Sequence, residues 1–501
     1  MKKGPLHTPL CDLLGAHHPL ILAGMGGVSR SELVAAVTRA GGFGFLGMVR
    51  EPLELIREEV ERVRARTDRP FGVNLIPAAT HPTLLGRQVD LCIALQVPVV
   101  GLFWDVSEAV IGKLRAAGIV VIHQVGSVVD ALHAQEAGAS ALIVQGIEAG
   151  GHVRGRQPLA ELLPEVLAIA SIPVAAAGGL ATGTDLARVL AQGAQAAVLG
   201  TALIATDESF AHVYHKQRLV QSSADDTELT ETFHINWPPH ASVRVLKNST
   251  TRGERGDPFA AARQVIGDEQ GRPIYLFSTD SPLRSMTGDY EAMALYAGLG
   301  VGAIRTVEPA ARRVERIVAE AAALRRAEAP ADFEVASPVC YAADVAAESQ
   351  HERQALIAAL DELLEAERAG ARVTLRTAAE TQEAALRAVI DTVHHDEVRW
   401  CAMLARHIRN LNGAPSARTG AFYDKAMAVG DVRERLAFLN RGQGWVVRRL
   451  RELIPRIDDA AVRRELGEML DAHRANIDRV NIELGARPPA SPLRLTPHPG
   501  S

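Results

Sequence analysis

Cysteine is scarce in this chain: four in 501 residues, at positions 11, 92, 340 and 401. No two share a paired spacing, which argues against a zinc site and a disulfide framework and leaves a reducing, cytoplasmic setting as the expectation. No run of about 18 uncharged apolar residues occurs, so no membrane span is expected. Met1-Lys2-Lys3-Gly4-Pro5 carries two lysines but no apolar stretch before Cys11-Asp12, so no secretory signal is expected either. An excess of positive charge is also missing. With 54 Lys and Arg against 59 Asp and Glu, the formal charge is −5, and nothing draws the chain as a whole to nucleic acid. The arginines near Arg312 and Arg448 alternate with acids and apolar residues, as on solvated helix faces.

What is present is an ordinary globular composition, 47% apolar and 23% charged, long enough for two or three domains or one large barrel with an appendage. From Leu20 to about Gly200, short apolar runs alternate with longer amphipathic ones. Strands are predicted at Leu20 to Ala23, Phe43 to Leu46, Phe71 to Asn74, Val97 to Leu102, Ile119 to Ile122, Ala141 to Val144, Pro173 to Ala177 and Ala196 to Leu199. Helices are predicted between them, over Ser31 to Ala40 with Ser29 as its cap, Pro52 to Arg66, Ser107 to Ala117 and Thr184 to Gln192. Eight strand-helix units with short loops fit an α/β fold of the closed (β/α)₈ TIM-barrel kind better than a doubly wound sheet. No GxGxxG follows the first strand to favour the latter.

Residues from about 205 to 285 break this rhythm, with Trp237-Pro238-Pro239 and a polar tract from Thr250 to Gly271; an excursion of that length is usually a lid or subdomain. Regular structure is expected to return as helices over Tyr290 to Ala297 and Pro309 to Arg326. The composition shifts again near Ala327 to Asp332. Glycine then thins out, and four helical patterns, 352 to 374, 377 to 411, 418 to 454 and 458 to 484, describe an antiparallel four-helix bundle. The expected division is a barrel over 1–328, a linker over 329–348, a bundle over 349–486 and a disordered tail over 487–501.

The chemistry-bearing stretch is Gln145-Gly146-Ile147-Glu148-Ala149-Gly150-Gly151-His152, which leaves the carboxyl end of the predicted strand Ala141 to Val144. Barrels place their sites at that end. Paired glycines let backbone N–H groups approach an anion or ring, and the imidazole can exchange a proton near neutral pH. A His after two glycines can equally end a turn; the neighbouring strand ends shift the weight toward a site. Gly24-Met25-Gly26-Gly27 follows strand one, Asn74 and Gln124 end strands three and five, and Gly178-Gly179 and Gly200-Thr201 occupy the last two loops, the usual phosphate position in a barrel.

Residues 5 to about 326 resemble the nitronate monooxygenase family, formerly 2-nitropropane dioxygenases. The resemblance rests on the Gln145–His152 octet, Phe71-Gly-Val-Asn74, Ala177-Gly-Gly179, Val198-Leu-Gly-Thr201 and the closing Gly288-Asp-Tyr-Glu-Ala-Met-Ala-Leu-Tyr-Ala-Gly298. It implies an FMN-dependent TIM barrel that oxidises alkyl nitronates, and nitroalkanes after deprotonation, with O₂, giving carbonyl compounds and nitrite. It makes His152 the catalytic base. The implied FMN contacts are Ala23, Gly24, Met25, Asn74, Gln124, Gln145, Ala149, Gly150, Gly151, Gly178, Gly179, Leu199, Gly200 and Thr201. Flavin-dependent enoyl-acyl-carrier-protein reductases, fed by NAD(P)H, carry the same loop and form the alternative. A non-catalytic flavin-binding scaffold is the third.

The helical region resembles ferritin-like bundles, which imply Glu and Glu-x-x-His metal ligands. Glu367 and Glu434 meet the first requirement. Asp391-Thr-Val-His394 offers a shorter carboxylate, and Leu470 stands where His473 would need a Glu. No metal is therefore expected, and the bundle is read as structural or as a route to homo-oligomers. Trp400, Phe438 and Trp445 are expected in its core.

Overall fold

The computed structural model describes residues 4–238, 240–260, 263–328 and 342–485. The chain divides into two compact units, residues 1–335 and 336–501. In the first, β1 (Leu20–Leu22), β2 (Phe43–Gly47), β3 (Gly72–Leu75), β4 (Val99–Phe103), β5 (Val120–Val125), β6 (Ala141–Gln145) and, past a short outlying strand β7 (Gly151–Val153), β8 (Val174–Ala177) and β9 (Ala196–Leu199) are laid down in chain order. All but β7 pair in parallel and close a barrel, with β9 returning to β1 in the register Ile21 to Val198 and Leu22 to Leu199.

The strands are apolar runs because helices cover one face and the barrel core fills the other. Inside, the large rings of Phe43 and Phe45 are balanced by Ala141, Ala175, Ala177 and Ala196. Phe45 also dictates glycine on its neighbours: a Cβ at Gly72 would overlap its ring, and one at Gly101 would stand 2.9 Å from it. Leu10 and Leu14, from the helix Pro9–Leu14, belong to the same core.

Ser107 caps the helix Glu108–Ala116, and Thr182 with Asp185 forms a capping box on Gly183–Gln192. Ser29 does not cap Ser31–Arg39, as its sequence position suggested; Arg30 occupies the cap position. The Ser29 hydroxyl donates to Ala23 O (2.9 Å) and accepts from Met25 N (3.3 Å), tying down the turn after β1.

The excursion runs on to the helix Ala310–Glu328, well past the expected end near 285. It contributes β10 (Thr227–Thr230) and β11 (Ser242–Leu246), which form an antiparallel sheet with β7 in the order β10-β11-β7. A second small sheet joins β12 (Val265–Glu269), β13 (Arg272–Tyr275) and β14 (Met286–Gly288). The helix expected over Tyr290 to Ala297 is absent: one 3₁₀ turn, Tyr290–Ala292, gives way to extended chain. Its carbonyls are taken by other donors, Leu295 O by Leu246 N (2.7 Å) and Glu291 O and Met293 O by Asn248 Nδ2. Consecutive Met293, Ala294 and Leu295 are all buried, which a one-sided helix could not provide.

The second unit has four long helices, Ala342–Glu380, Ala384–Asn410, Val432–Leu453 and Ala460–Glu483. The first packs on the second and third, and the fourth on those same two. The pattern read as one helix over 418 to 454 is split into Phe422–Met427 and Val432–Leu453, where Asp431 caps the later helix by accepting from Glu434 N. The first helix starts inside the expected linker; the remainder of that linker and the tail 487–501 lie outside the described residues. Trp400 is core, and Phe438 stacks on Phe422. Trp445 instead lines a cavity. Among the described residues no helix is long and apolar enough to cross a membrane.

Candidate active site

The barrel strands deliver their carboxyl ends to one cleft of about 1240 Å³, solvent at its mouth included. Ala23, Gly24 and Met25 line it from β1, Asn74 from β3, Gln124 from β5, and Gln145, Ala149, Gly150 and His152 from β6 and its loop. Gly178, Gly179, Gly200 and Thr201 complete the set from β8 and β9. Two expected contacts are not among the lining residues. Gly151 is engaged in β7, paired with Arg244 of β11. Leu199 is buried, its carbonyl accepting from Ala23 N; strand alternation turns Val198 into the cleft in its place.

The loop after β6 is fixed at nearly every residue. The Gln145 amide holds β7 with both ends, Nε2 donating to His152 O (2.9 Å) and Oε1 accepting from Arg154 N (3.2 Å). The Arg244 guanidinium donates to Ile147 O. Both Glu148 carboxylate oxygens accept from Leu159 N at the start of the helix Leu159–Ile169, whose cap residue, Pro158, offers no side-chain acceptor. A Cβ on Gly150 would stand 2.5 Å from Gly298 N, so only glycine lets the loop pass there.

That scaffold presents His152 inside an aromatic box. Its ring stacks on Trp237 with centroids 3.4 Å apart and planes 19° from parallel, with Trp104 edge-on at 6.3 Å and Tyr296 at 5.8 Å. Nε2 is buried without a hydrogen-bond partner. Burial, with the positive charge of Arg50, holds the imidazole well below its ordinary pKa, so it is neutral at physiological pH, with a lone pair to offer. Arg50 also donates to Asn236 O (2.7 Å), fastening the segment that carries Trp237.

Sequence reasoning missed Trp104, Trp237 and Tyr296. Trp237 lies in the tract read as a lid, and Tyr296 in the motif that closes the barrel region. No local pattern aims either side chain at His152.

The rest of the cleft is defined by missing side chains. A Cβ on Gly24 would overlap Asn74 Cβ, while Gly178 (φ +115) and Gly179 (φ +69) adopt backbone conformations that side chains oppose. Among the described residues no three His, Cys, Asp or Glu are grouped to hold a metal. Of the expected weak ligands, Glu367 and His473 meet at 3.2 Å. Asp391, His394 and Glu434 do not line their cavity; His394 bonds Ala371 O, and Glu434 is exposed.

The nitronate monooxygenase family matches residues 7–320, and a domain of unknown function (DUF6306) matches 354–482. A (3aS,4S,5R,7aS)-5-hydroxy-7a-methyl-1-oxo-octahydro-1H-indene-4-carboxyl-CoA dehydrogenase of Mycobacterium tuberculosis is 37% identical, over 52% of this chain and 73% of that protein. A probable nitronate monooxygenase of Staphylococcus haemolyticus is 31% identical, over 45% and 76%. Among solved structures, the nitroalkane oxidase from Streptomyces ansochromogenes is 34% identical with a TM-score of 0.53, over 64% of this chain and 99% of that one. FabK from Thermotoga maritima is 28% identical with a TM-score of 0.54, over 64% and 98%. With a fold, a cleft and a family match that all fall on the same stretch, the chain belongs to the nitronate monooxygenase family of flavin-dependent oxidoreductases.

Proposed function

We propose that the barrel binds FMN and oxidises an alkyl nitronate, or its parent nitroalkane, with O₂, giving a carbonyl compound and nitrite, and that His152 is the general base. The observation that carries this is the buried, unpartnered Nε2 of a neutral imidazole at a glycine-walled cleft. The cleft fits such a cofactor. Gly24 and Asn74 meet in close contact on one wall, and the glycines at 178, 179 and 200 carry no side chain over the backbone N–H groups that a phosphate would use, with Thr201 beside them. A bound flavin would supply the redox capacity between substrate and O₂ that side chains lack.

The side chains handle the proton. Neutral His152 is in the form that can accept one from the carbon bearing the nitro group. The resulting imidazolium would lie on the indole face of Trp237, a contact worth about 0.5–2 kcal/mol. Gln145 keeps the ring in place through the His152 carbonyl and the Arg154 N–H that follows it. Trp237 and Tyr296 limit water around the proton in transit.

In aerobic assays His152→Ala should retain bound flavin and lose roughly 10²- to 10⁴-fold in turnover of neutral nitroalkanes, with a smaller loss on preformed nitronates. Undiminished turnover of both would remove His152 from the base role. The similarity to a CoA-thioester dehydrogenase favours a second reading in which the same base acts beside a thioester carbonyl. Anaerobic bleaching of the flavin by NADH, without nitrite release in air, would select an NAD(P)H-linked reaction instead.

A further inference from the structure

The helical unit buries ionisable groups around a second cavity. Glu367, Glu397, Gln443 and His473 come one from each long helix, and none is more than 3% exposed. Gln443 Nε2 donates to Glu397 Oε1 (3.0 Å), which leaves the amide oxygen facing His473 Nδ1 at 3.3 Å. Nδ1 therefore carries a proton toward that oxygen. Nε2 lies 3.2 Å from Glu367 Oε1 but makes no hydrogen bond. Glu367 Oε2 and Glu397 Oε2 are likewise buried without partners. Three buried polar atoms on the wall of one cavity thus lack a hydrogen-bond partner, and leaving any one unsatisfied costs about 1–3 kcal/mol.

The packing admits this cluster specifically. A Cβ at Gly370 would overlap the Glu397 carboxylate, so glycine is what lets that group into the core. The cluster forms one end of a cavity of about 770 Å³, solvent at its mouth included, whose other walls include Phe422, Leu439, Trp445 and Val446. At the rim, Glu362 is paired with Arg449, and Glu365 with Ser416 and Arg418. A bare ion needs no aromatic walls. An ammonium group supplies three N–H donors, and an apolar body suits the walls.

We propose that this cavity binds a small primary amine as its ammonium ion, the head held by Glu367, Glu397 and His473 and the body lying against Phe422 and Trp445. Glu397 supports this independently of the barrel's function. Burial and the neighbouring Glu367 push its carboxyl well above the usual range, so without a cation the cluster relieves its charge by holding a proton.

The test is calorimetric titration of the full-length protein with primary amines from methylamine to phenethylamine. Affinity should rise about four-fold for each methylene buried. Glu397→Gln and Glu367→Gln, checked for unchanged helical circular dichroism, should each weaken phenethylamine binding roughly 10- to 100-fold. 2-Phenylethanol, similar in shape but uncharged, should bind far more weakly to the unaltered protein, a comparison that stands even if a variant fails to fold. The proposal is overturned if no amine binds, if the alcohol binds as tightly as the amine, or if amine binding ignores both substitutions. Tight binding of zinc or manganese(II) that excludes the amine and is lost in those variants would overturn it too.

Discussion

The barrel and the helical unit both keep a cavity inside, by opposite means. The barrel lines its cavity with glycine: Gly24, Gly150, Gly178 and Gly179 stand where a Cβ would collide with neighbouring chain or the backbone would be strained. The neutral imidazole of His152 and the indole N–H of Trp237 are then left unpaired at the cleft wall. The helical unit puts two carboxylates and an imidazole into its core and spends a glycine, Gly370, to fit one of them. A cleft built by omission suits a large flat ligand. One built on buried acceptors suits a small charged one.

The largest separation should come from acid. Burial takes His215 from 6.5 to about 4, and His152 well below its ordinary value. Below about pH 6.5 the unfolded barrel takes up these protons and the folded barrel does not, so barrel stability falls as pH falls. His215 alone contributes about 3 kcal/mol by pH 4, at roughly 1.4 kcal/mol per pH unit. Glu397 has the opposite sign: its folded pKa lies above the unfolded value of 4.5, so the helical unit gains stability as pH falls toward 4.5. His394, lowered by burial, offsets part of that gain. Scanning calorimetry of the full chain between pH 7.5 and 5 should show the flavin-releasing transition moving down relative to the other. His215→Asn should flatten the first trend and Glu397→Gln the second.

Adding one methyl group to each cavity sharpens the contrast. Gly24→Ala should weaken flavin retention roughly 10- to 100-fold, read from the absorbance of the purified protein, since the added methyl displaces Asn74 from the cleft wall, an overpacking of about 1–3 kcal/mol. Gly370→Ala should lower the melting point of the helical unit by a similar energy and leave flavin content alone. The smallest effect concerns alignment. Gln145→Leu frees the strand carrying His152, and kcat on neutral nitroalkanes should fall about ten-fold with flavin retained. If turnover of preformed nitronates fell equally, Gln145 would not be acting through the base.

Much of this was legible in sequence where a residue answers to its own neighbourhood. Parallel strands buried on both faces are largely apolar, with polar residues near their carboxyl ends, so all eight could be read as short runs. The glycines after β1, β6, β8 and β9 advertise backbone that must come close to something. Reading failed where distant chain decides. Tyr290 to Ala297 has a helical composition, yet Leu246 and Asn248 capture its carbonyls and hold most of it extended. In the helical unit, motif spacing singled out Glu367 and His473 but also Asp391, His394 and Glu434. It passed over Glu397 and Gln443, whose relevance depends on the mutual rotation of separate helices.

The sequence by itself determined a barrel of eight strands, a following set of helices, and a glycine-rich end carrying His152, because burial, periodicity and backbone freedom are properties of short segments. Only the tertiary structure decided that Trp237 stacks on that imidazole, that Gln145 clasps the strand holding it, and that four polar side chains meet in the helical core. Those contacts join residues that share no segment, and their distances are set by how whole elements pack.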